Sequence, residues 1–279
     1  MLVPTPIGNL ADITLRAIAA LRDADLVLCE DTRVTARLFS AHGITTRLSP
    51  LHDHNEEGRI APLLDRLRQG SRVALVSDAG TPLVSDPGFR LVRAAIAAGL
   101  PVSGLPGANA ATLALVLSGL PPHPFLFSGF PPPRQAARLA AFAMLRAAER
   151  AGLRATLLWH EAPHRLAESL ADLATAFGDR PAAVARELTK RFEEVRRGTL
   201  AELAEHYATH AARGEITLVV GPAPDEAEAE TSVADLLRAA VASGASVKDA
   251  VAQVASAIGL PRRQVYALAL ELGPALRGP

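Results

Sequence analysis

The chain has 279 residues, and its 29 Lys and Arg balance its 29 Asp and Glu, so the formal net charge is zero. A basic field over the whole surface, of the kind that attracts nucleic acid, is therefore excluded, and any contact with nucleic acid must come from local clusters of cations. Because Cys29 is the single cysteine, an intrachain disulfide and a cysteine-rich zinc site are excluded as well.

No segment is typical of a membrane protein. The most apolar stretch, 110–120, is shorter than the roughly 20 residues that a bilayer span needs. The first ten residues lack the charged and apolar regions of a signal peptide. We therefore expect a soluble, cytoplasmic protein without a membrane segment.

The first 105 residues alternate short apolar runs with helical patterns of apolar residues. Strands are predicted at 25–29, 72–76 and 101–105, and helices at 13–21, 57–67 and 90–98. Asp12 is the predicted N-cap of the first helix. Since strands separated by helices form crossover units, the pattern predicts an α/β domain with a mostly parallel sheet.

A segment rich in proline and aromatic residues, 119–133, predicts a domain boundary, because proline blocks both helix continuation and strand pairing. A second α/β unit follows, with strands predicted at 155–159, 182–186 and 215–220 and helices at 162–176 and 200–212. The predicted domains are therefore an N-terminal α/β domain at 1–120 and a C-terminal α/β domain at 121–223.

Beyond these domains, an acidic stretch at 224–232 is predicted to be a linker. Residues 233–272 are predicted to form about three helices, divided at Gly244 and at Gly259–Pro261, within a tail at 233–279. The last helix starts with Arg262 and Arg263, which resembles a helix-turn-helix that presents cations to nucleic acid. A small helical bundle that packs on the body or on a second copy is the alternative.

Three loops are candidates for a ligand site. The segment SDAGTPLVSDPG (77–88) follows a predicted buried strand and is longer than a crossover needs. In open parallel sheets, ligands bind beyond the carboxyl ends of the strands, and here small residues leave room while Asp78 offers a carboxylate. TPIGNL (5–10) and LPGANAAT (105–112) are weaker signals, and taken alone they are better explained as a plain turn and a capped core helix. None of the three is a G-x-G-x-x-G or Walker A loop.

Charged residues cluster in two further kinds of segment. LHDHNE (51–56) places His52 and His54 two residues apart without a clear third ligand, so a solvated polar loop is the alternative to a metal site, and we predict no metal. ARELTKRFEEVRRGT (185–199) is the densest charged stretch. It begins at the end of a predicted strand, which indicates that it faces a cleft, although most charge runs are solvated faces.

Read together, the motifs resemble those of a known family. TPIGNL, CEDTRVT, LVSDAGTPLVSDPG, LPG, EAPHRL and VARELTKRFEEVRRGTL occur in this order from Leu2 to about Pro222. They resemble the ribosomal RNA small subunit methyltransferase I family of the tetrapyrrole (corrin/porphyrin) methylase superfamily. The resemblance implies two α/β domains with a cofactor cleft between them, and a homodimer. It also implies 2′-O-methylation of a cytidine ribose in the decoding region of 16S rRNA, within the small ribosomal subunit.

The resemblance implies S-adenosylmethionine as the methyl donor. Matching motifs put a common set of residues around it, namely Pro6, Ile7, Gly8, Asp78, Ala79, Gly80, Thr81, Ser85, Pro106 and Gly107.

Since a ribose hydroxyl is a weak nucleophile, it benefits from a nearby group that takes its proton. The candidates are Glu30, Asp31, His54 and Glu187, and spacing does not choose among them. Cations suit phosphate contacts, which fix register without reading sequence. The predicted RNA-binding residues are Arg33, Lys190, Arg191, Arg196 and Arg197.

Two alternatives stay open, since a fold does not specify a substrate. One is methylation of a corrinoid, a porphyrin or the diphthamide precursor on the same fold. The other is a non-catalytic RNA-binding assembly factor, which would not bind the methyl donor.

Overall fold

The computed structural model describes residues 1–224, 226–258 and 260–273. The N-terminal part contains a parallel sheet in the order β2-β1-β3. Its elements, in chain order, are α1 (Leu15–Asp23), β1 (Leu26–Cys29), α2 (Thr32–His42), β2 (Leu48–Pro50), α3 (Glu56–Arg68), β3 (Val73–Leu75), α4 (Phe89–Ala97) and α5 (Ala110–Ser118).

Both faces of this first sheet are covered by helices. Val27 and Cys29 of β1 pack in a cluster with α1 and α2, whereas Leu26 and Leu28 pack in a second cluster with α3 and α4. A strand that is buried on both faces reads as a continuous apolar run instead of an alternating one. This burial explains why the run before Cys29 predicts a strand.

The N-terminal residues extend the sheet. Leu2 pairs in parallel with Leu75 on one side and with Gly104 on the other. The strand predicted at 101–105 is therefore present only as this single bridge. The first helix also begins later than predicted: Asp12 lies in a short 3-10 turn, and the cap of α1 is Thr14, whose Oγ1 accepts a hydrogen bond from Ala17 N at 3.0 Å.

The C-terminal domain is built on a mixed sheet in the order β4-β5-β8-β6-β7. Strands β4 and β5 are parallel, and the other neighbours are antiparallel. Its elements are β4 (Phe125–Phe127), α6 (Gln135–Arg150), β5 (Thr156–Glu161), α7 (Leu166–Phe177), β6 (Pro181–Arg186), β7 (Glu194–Thr199), α8 (Leu200–Thr209) and β8 (Ile216–Val220).

The pattern analysis misses five elements: α2, β2, β4, α6 and β7. Strand β7 lies inside the charged stretch 185–199 and pairs with β6 at the edge of the sheet. An edge strand exposes its side chains and tolerates charge, so the alternating apolar signal is lost there.

Helix α5 belongs to the second sheet by its packing. Ala111, Ala114 and Leu115 contact Ala183 and Val219 on the face opposite to α6, α7 and α8. The packing therefore divides the chain ahead of α5, whereas the predicted boundary lies after residue 120. A polypeptide can cross to the next domain before its proline-rich segment, and no local pattern marks that crossing.

The tail forms a separate three-helix unit. The helices are α9 (Glu226–Ala242), α10 (Val247–Ile258) and α11 (Arg262–Leu272), and they share one apolar cluster. Helix α9 begins inside the predicted linker 224–232. The predicted break at Gly259 and the end of the predicted tail, 274–279, lie outside the described residues. In the described ranges, no helix has the length and apolarity needed to cross a membrane.

Candidate active site

A cavity of about 380 Å³ lies between the two α/β domains. The N-terminal side contributes Ile7 and the loop 78–86, which follows β3. The C-terminal side contributes the ends of β5 and β6 and the beginning of β8. The lining residues are Ile7, Asp78, Ala79, Gly80, Thr81, Val84, Ser85, Asp86, Asn109, Ala110, Phe130, His160, Glu161, Ala162, Pro163, Ala185, Leu188, Gly214, Glu215, Ile216 and Thr217. We call this the donor cavity, after the methyl donor that the sequence resemblance implies.

A second cavity of about 400 Å³ adjoins it. The two cavities share Ile7, Asp78, Ala79 and Glu215. The remaining wall comes from the N-terminal turn, from α2 and from one lysine of the C-terminal domain. These residues are Thr5, Pro6, Gly8, Leu10, Val34, Thr35, Arg37, Leu38, Ser77 and Lys190. We call this the side cavity.

The loop after β3 is held by the N-terminal segment. Thr5 N donates to Gly80 O at 2.9 Å, and Gly80 N donates to Thr5 O at 3.0 Å. Ser77 Oγ donates to the same Gly80 carbonyl at 2.8 Å. Gly80 has a φ of 82°, and a Cβ there would lie 3.2 Å from the Ile7 side chain. A glycine is therefore needed where the backbone forms the cavity wall.

Strained backbone lies on both sides of the cleft. Among the described residues, the non-glycine positions with positive φ are Leu83 (72°), Ser85 (67°), Glu187 (51°) and Thr189 (65°). The first two belong to the loop after β3, and the other two belong to the loop after β6. Such conformations cost free energy and cluster at functional sites. Both loops are therefore candidates for the functional site.

Three carboxylates, Asp78, Asp86 and Glu30, interact with one another, and the first two line the donor cavity. Burial, together with the charges of Glu30 and Asp78, raises the pKa of Asp86 to about 6. Burial and the charge of Asp78 also raise the pKa of Glu30. Asp78 ties the cluster to β1, because its Oδ1 accepts a hydrogen bond from Asp31 N at 3.0 Å. This electrostatic environment favours a cationic ligand.

Asp31 is poorly suited to accept a proton. Hydrogen bonds from the Arg33 side chain and backbone hold the pKa of Asp31 down, at about 2. Arg33 Nη2 lies 2.6 Å from Asp31 Oδ2, and Asp31 Oδ1 accepts from Arg33 N at 2.8 Å as the N-cap of α2. A carboxylate with so low a pKa is a weak base near neutral pH.

Glu187 and Lys190 belong to a network that ties the loop after β6 to β8. Lys190 Nζ donates to Glu187 Oε1 at 2.9 Å and to Glu215 Oε2 at 3.2 Å. Glu187 Oε1 also accepts from Glu215 N at 3.1 Å. The hydrogen bond from Lys190 lowers the pKa of Glu187. The stem of Lys190 crosses Gly8, where a Cβ would lie only 2.5 Å from Lys190 Cγ.

The predicted RNA-binding arginines do not share one environment. Arg33 and Arg191 are exposed, and Arg191 stacks over Phe192. Arg196 pairs with Glu194 at 3.1 Å. Arg197 donates to the carbonyl oxygens of Ser118, at 3.1 Å, and of Leu117, and so caps the C-terminus of α5.

Several other predicted residues lie away from the donor cavity. Pro6 and Gly8 line the side cavity, and Pro106 and Gly107 line neither of the two. A Cβ at Gly107 would lie 2.5 Å from Pro4 Cβ, so this glycine permits close packing of two chain segments. His54 is exposed and lines neither cavity.

The segment 51–56 has a structural use. Glu56 is buried, and its Oε1 accepts a hydrogen bond from Leu91 N at 2.8 Å in the first turn of α4. Asn55 Nδ2 lies 2.9 Å from His52 Nε2. In the part of the chain that the structure describes, no three His, Cys, Asp or Glu side chains are close enough together to hold a metal ion.

Sequence reasoning missed several lining residues of the C-terminal domain. Strand β8 runs antiparallel to β5 and β6, so its beginning lies beside their carboxyl ends, with Ile216 opposite both Glu161 and Arg186. This arrangement brings Glu215 and Thr217 into the cavity. His160 Nδ1 lies 3.1 Å from Thr217 Oγ1, and burial lowers the pKa of His160.

Missed residues also include Asp86, although the motif SDAGTPLVSDPG contains it. Glu161 is a second missed residue of the cavity lining. It is buried, and it holds the turn that follows β5, because its carboxylate accepts a hydrogen bond from Ala162 N at 2.7 Å and pairs with Arg165 at 2.5 Å. The EAPHRL motif was the available signal for this turn.

Comparisons with known proteins agree with this architecture. The family model described as Tetrapyrrole (Corrin/Porphyrin) Methylases matches residues 1–204, and the model described as RsmI C-terminal HTH domain matches residues 225–273. The chain is 52% identical to a ribosomal RNA small subunit methyltransferase I from Micromonospora olivasterospora, over 95% of this chain and 84% of that protein. It is 46% identical to a protein of the same name from Mesorhizobium japonicum, over 97% of this chain and 91% of the relative.

A solved structure of diphthine synthase is similar in fold. Its TM-score is 0.59 at 19% sequence identity, over 78% of this chain and 88% of that one. An identity this low concerns the fold alone.

Proposed function

Because the chain belongs to the ribosomal RNA small subunit methyltransferase I family of tetrapyrrole (corrin/porphyrin) methylases, we propose that it transfers a methyl group from S-adenosylmethionine to 16S rRNA of the small ribosomal subunit. The acceptor is the ribose 2′-hydroxyl of a cytidine in the decoding region, and the working form is a homodimer. The observation that carries the proposal is a cavity between two domains, lined by the loop that holds the most specific family motif.

The donor cavity has a chemistry that fits S-adenosylmethionine. Its volume of about 380 Å³ falls within the range of small-ligand pockets, about 300–1,000 Å³. The carboxylates of Asp78 and Asp86 complement a positively charged ligand, while Ile7 and Leu188 offer apolar surface. When bound, the donor supplies a methyl group on an activated sulfonium. Ile7, Asp78, Ala79, Gly80, Thr81 and Ser85 are the predicted contact residues that line this cavity, and Asn109 and Thr217 join them.

Transfer requires the acceptor oxygen to lie in line with the methyl carbon and the sulfur. An oxygen–carbon bond forms at the ribose, the carbon–sulfur bond breaks, and the hydroxyl proton must leave. We assign the proton to Asp78, because this carboxylate lines both cavities. Glu30 and Asp86 belong to the same group of interacting carboxylates.

This assignment replaces the four earlier candidates for the proton acceptor. Asp31 is engaged by Arg33, and Glu187 is engaged by Lys190. His54 lines neither cavity. Glu30 remains close to Asp78 but lines neither cavity, so it acts through its charge.

We assign the RNA contacts to cations that lie near the cleft. Lys190 and Arg37 line the side cavity. Arg33 is exposed at the beginning of α2, and Arg191 is exposed on the loop after β6. Arg196 pairs with a carboxylate, as Arg33 and Lys190 do, and stays a proposed phosphate contact. Arg197 donates to the carbonyl end of α5, which makes it the weakest of the predicted contacts. Local clusters of this kind suit a protein without net charge.

The decisive experiment offers radiolabelled S-adenosylmethionine and three acceptors: assembled small subunits, naked 16S rRNA and a small tetrapyrrole. We expect label in the subunit rRNA, at one cytidine whose ribose resists alkaline cleavage after modification. Label in the tetrapyrrole alone would contradict the proposal. Calorimetric titration with the donor tests the non-catalytic alternative, because an assembly factor without activity would show no binding heat.

A further inference from the structure

The side cavity is the feature that the donor site does not use. Because methyl transfer needs the two reacting atoms about 3 Å apart, a donor in one cavity requires its acceptor in a space that opens onto the same wall. The side cavity meets the donor cavity at Ile7, Asp78, Ala79 and Glu215, so it is such a space. Both sides of that wall therefore reach Asp78.

The chemistry of the side cavity suits one nucleotide of a polyanion. Arg37 of α2 and Lys190 of the loop after β6 supply cations on its wall, and Leu10, Val34 and Leu38 supply apolar surface against which a base can lie. A volume of about 400 Å³ admits a single nucleotide and not a paired stem. An enzyme with such a site must take its target out of the stacked RNA.

An unsatisfied polar group points to a ligand in the same place. Thr35 lines the side cavity and is 2% exposed; its hydroxyl interacts weakly with the Cys29 thiol and has no nitrogen or oxygen partner among the described residues. Buried hydroxyls are nearly always bonded, because burial without a partner is costly. A base or a ribose in the cavity would supply the missing partner.

We infer that the side cavity receives the extruded acceptor nucleotide, with its ribose toward Asp78, its phosphates toward Arg37 and Lys190, and the Thr35 hydroxyl hydrogen-bonded to it. This inference rests on the proposed function and adds to it the place and the conformation of the acceptor. It assigns α2, which lies outside the donor cavity, to recognition of RNA.

Val34 and Ala36 provide a matched pair for a test of the cavity. Val34 lies at its mouth with 38% exposure, whereas Ala36, two residues along the same helix, is exposed and does not line it. We expect Val34→Trp to lower kcat/KM for small subunits by about tenfold or more and Ala36→Trp to leave it within about twofold. Donor affinity, measured by calorimetry, should stay within about twofold in both variants.

Thr35 provides the second test. Thr35→Val keeps the shape and removes the hydroxyl, so we expect KM for subunits to rise by about fivefold or more, and Thr35→Ser to restore it. Melting temperatures of all four variants check that the fold is kept.

The outcomes separate the two proposals. An active wild type whose activity is equal in Val34→Trp and Ala36→Trp overturns the acceptor cavity and leaves rRNA methylation standing. A parallel loss of donor affinity in Val34→Trp also overturns it, because the cavity would then belong to the donor. A wild type that binds the donor but labels no subunit rRNA overturns the proposed function and the acceptor cavity with it.

Discussion

The carboxyl group of Asp86 offers the sharpest link between electrostatics and function. Its pKa is raised from an ordinary value of 3.8 to about 6 by burial and by the charges of Glu30 and Asp78. In the unfolded chain the group ionises near its ordinary value, so between these two values the unfolded state loses a proton that the folded state keeps. Stability therefore falls as pH rises through this window, and the full penalty is present above pH 6.

The size of this penalty follows from the shift. A shift of about two units corresponds to ~3 kcal/mol at 1.36 kcal/mol per unit. Because Asp86 is only partly buried, solvent screening reduces this figure to ~1–2 kcal/mol. We expect Asp86→Asn to remove the penalty, and so to stabilise the protein at about pH 7.5 by ~1–2 kcal/mol relative to its effect at about pH 4.

Urea denaturation of the wild type and of Asp86→Asn at both pH values measures this difference. Asp23→Asn, an exposed carboxylate on α1, is the control for a change in net charge. Asp86→Asn should also bind the cationic donor less tightly, because the Asp86 carboxylate destabilises the apoprotein but attracts the positively charged ligand. A stability difference that is the same at both pH values, or that grows toward low pH, would refute the reasoning.

Three further perturbations test other parts of the structure. Arg197→Ala should lower the free energy of unfolding by about 0.5–1.5 kcal/mol, because it removes the side-chain donor from the carbonyls at the end of α5; urea denaturation measures this, and an RNA-binding defect without loss of stability would contradict it. Lys190→Ala should weaken subunit binding and reduce the salt dependence of log Kd by about one, with donor affinity unchanged by calorimetry; a collapse of donor affinity would speak against the assignment. Truncation after residue 224 removes α9–α11 and should raise KM for subunits, again with donor affinity kept, and undiminished activity would rule out a role of the tail in substrate binding.

Local sequence patterns predicted many of the strands and helices. The run 25–29 predicted β1 because both faces of that strand are buried, and the spacing in 57–67 predicted α3 because one face of that helix packs on the sheet. The patterns failed where packing does not produce a period. Strand β7 is charged at a sheet edge, and no local pattern shows that the apolar helix α5 packs on the second sheet.

The candidate site divides in the same way. The amino-acid sequence predicts the chemistry of the loop after β3, because glycines, hydroxyls and Asp78 directly follow a buried strand, and it indicates the family through motifs in a fixed order. Which charges are available depends on the folded arrangement. Arg197 contacts the end of α5, Asp31 is held by Arg33, and the pKa of Asp86 is raised by burial and by two neighbouring carboxylates.

Only the tertiary structure, too, brought Glu215 and Thr217 into the cleft, since that depends on β8 running antiparallel between β5 and β6. Strand pairing joins residues far apart in the chain, and the free energy of a charge depends on such neighbours more than on its own segment. The sequence therefore shows which residue types are present, whereas their protonation, partners and roles depend on contacts that form only in the folded chain.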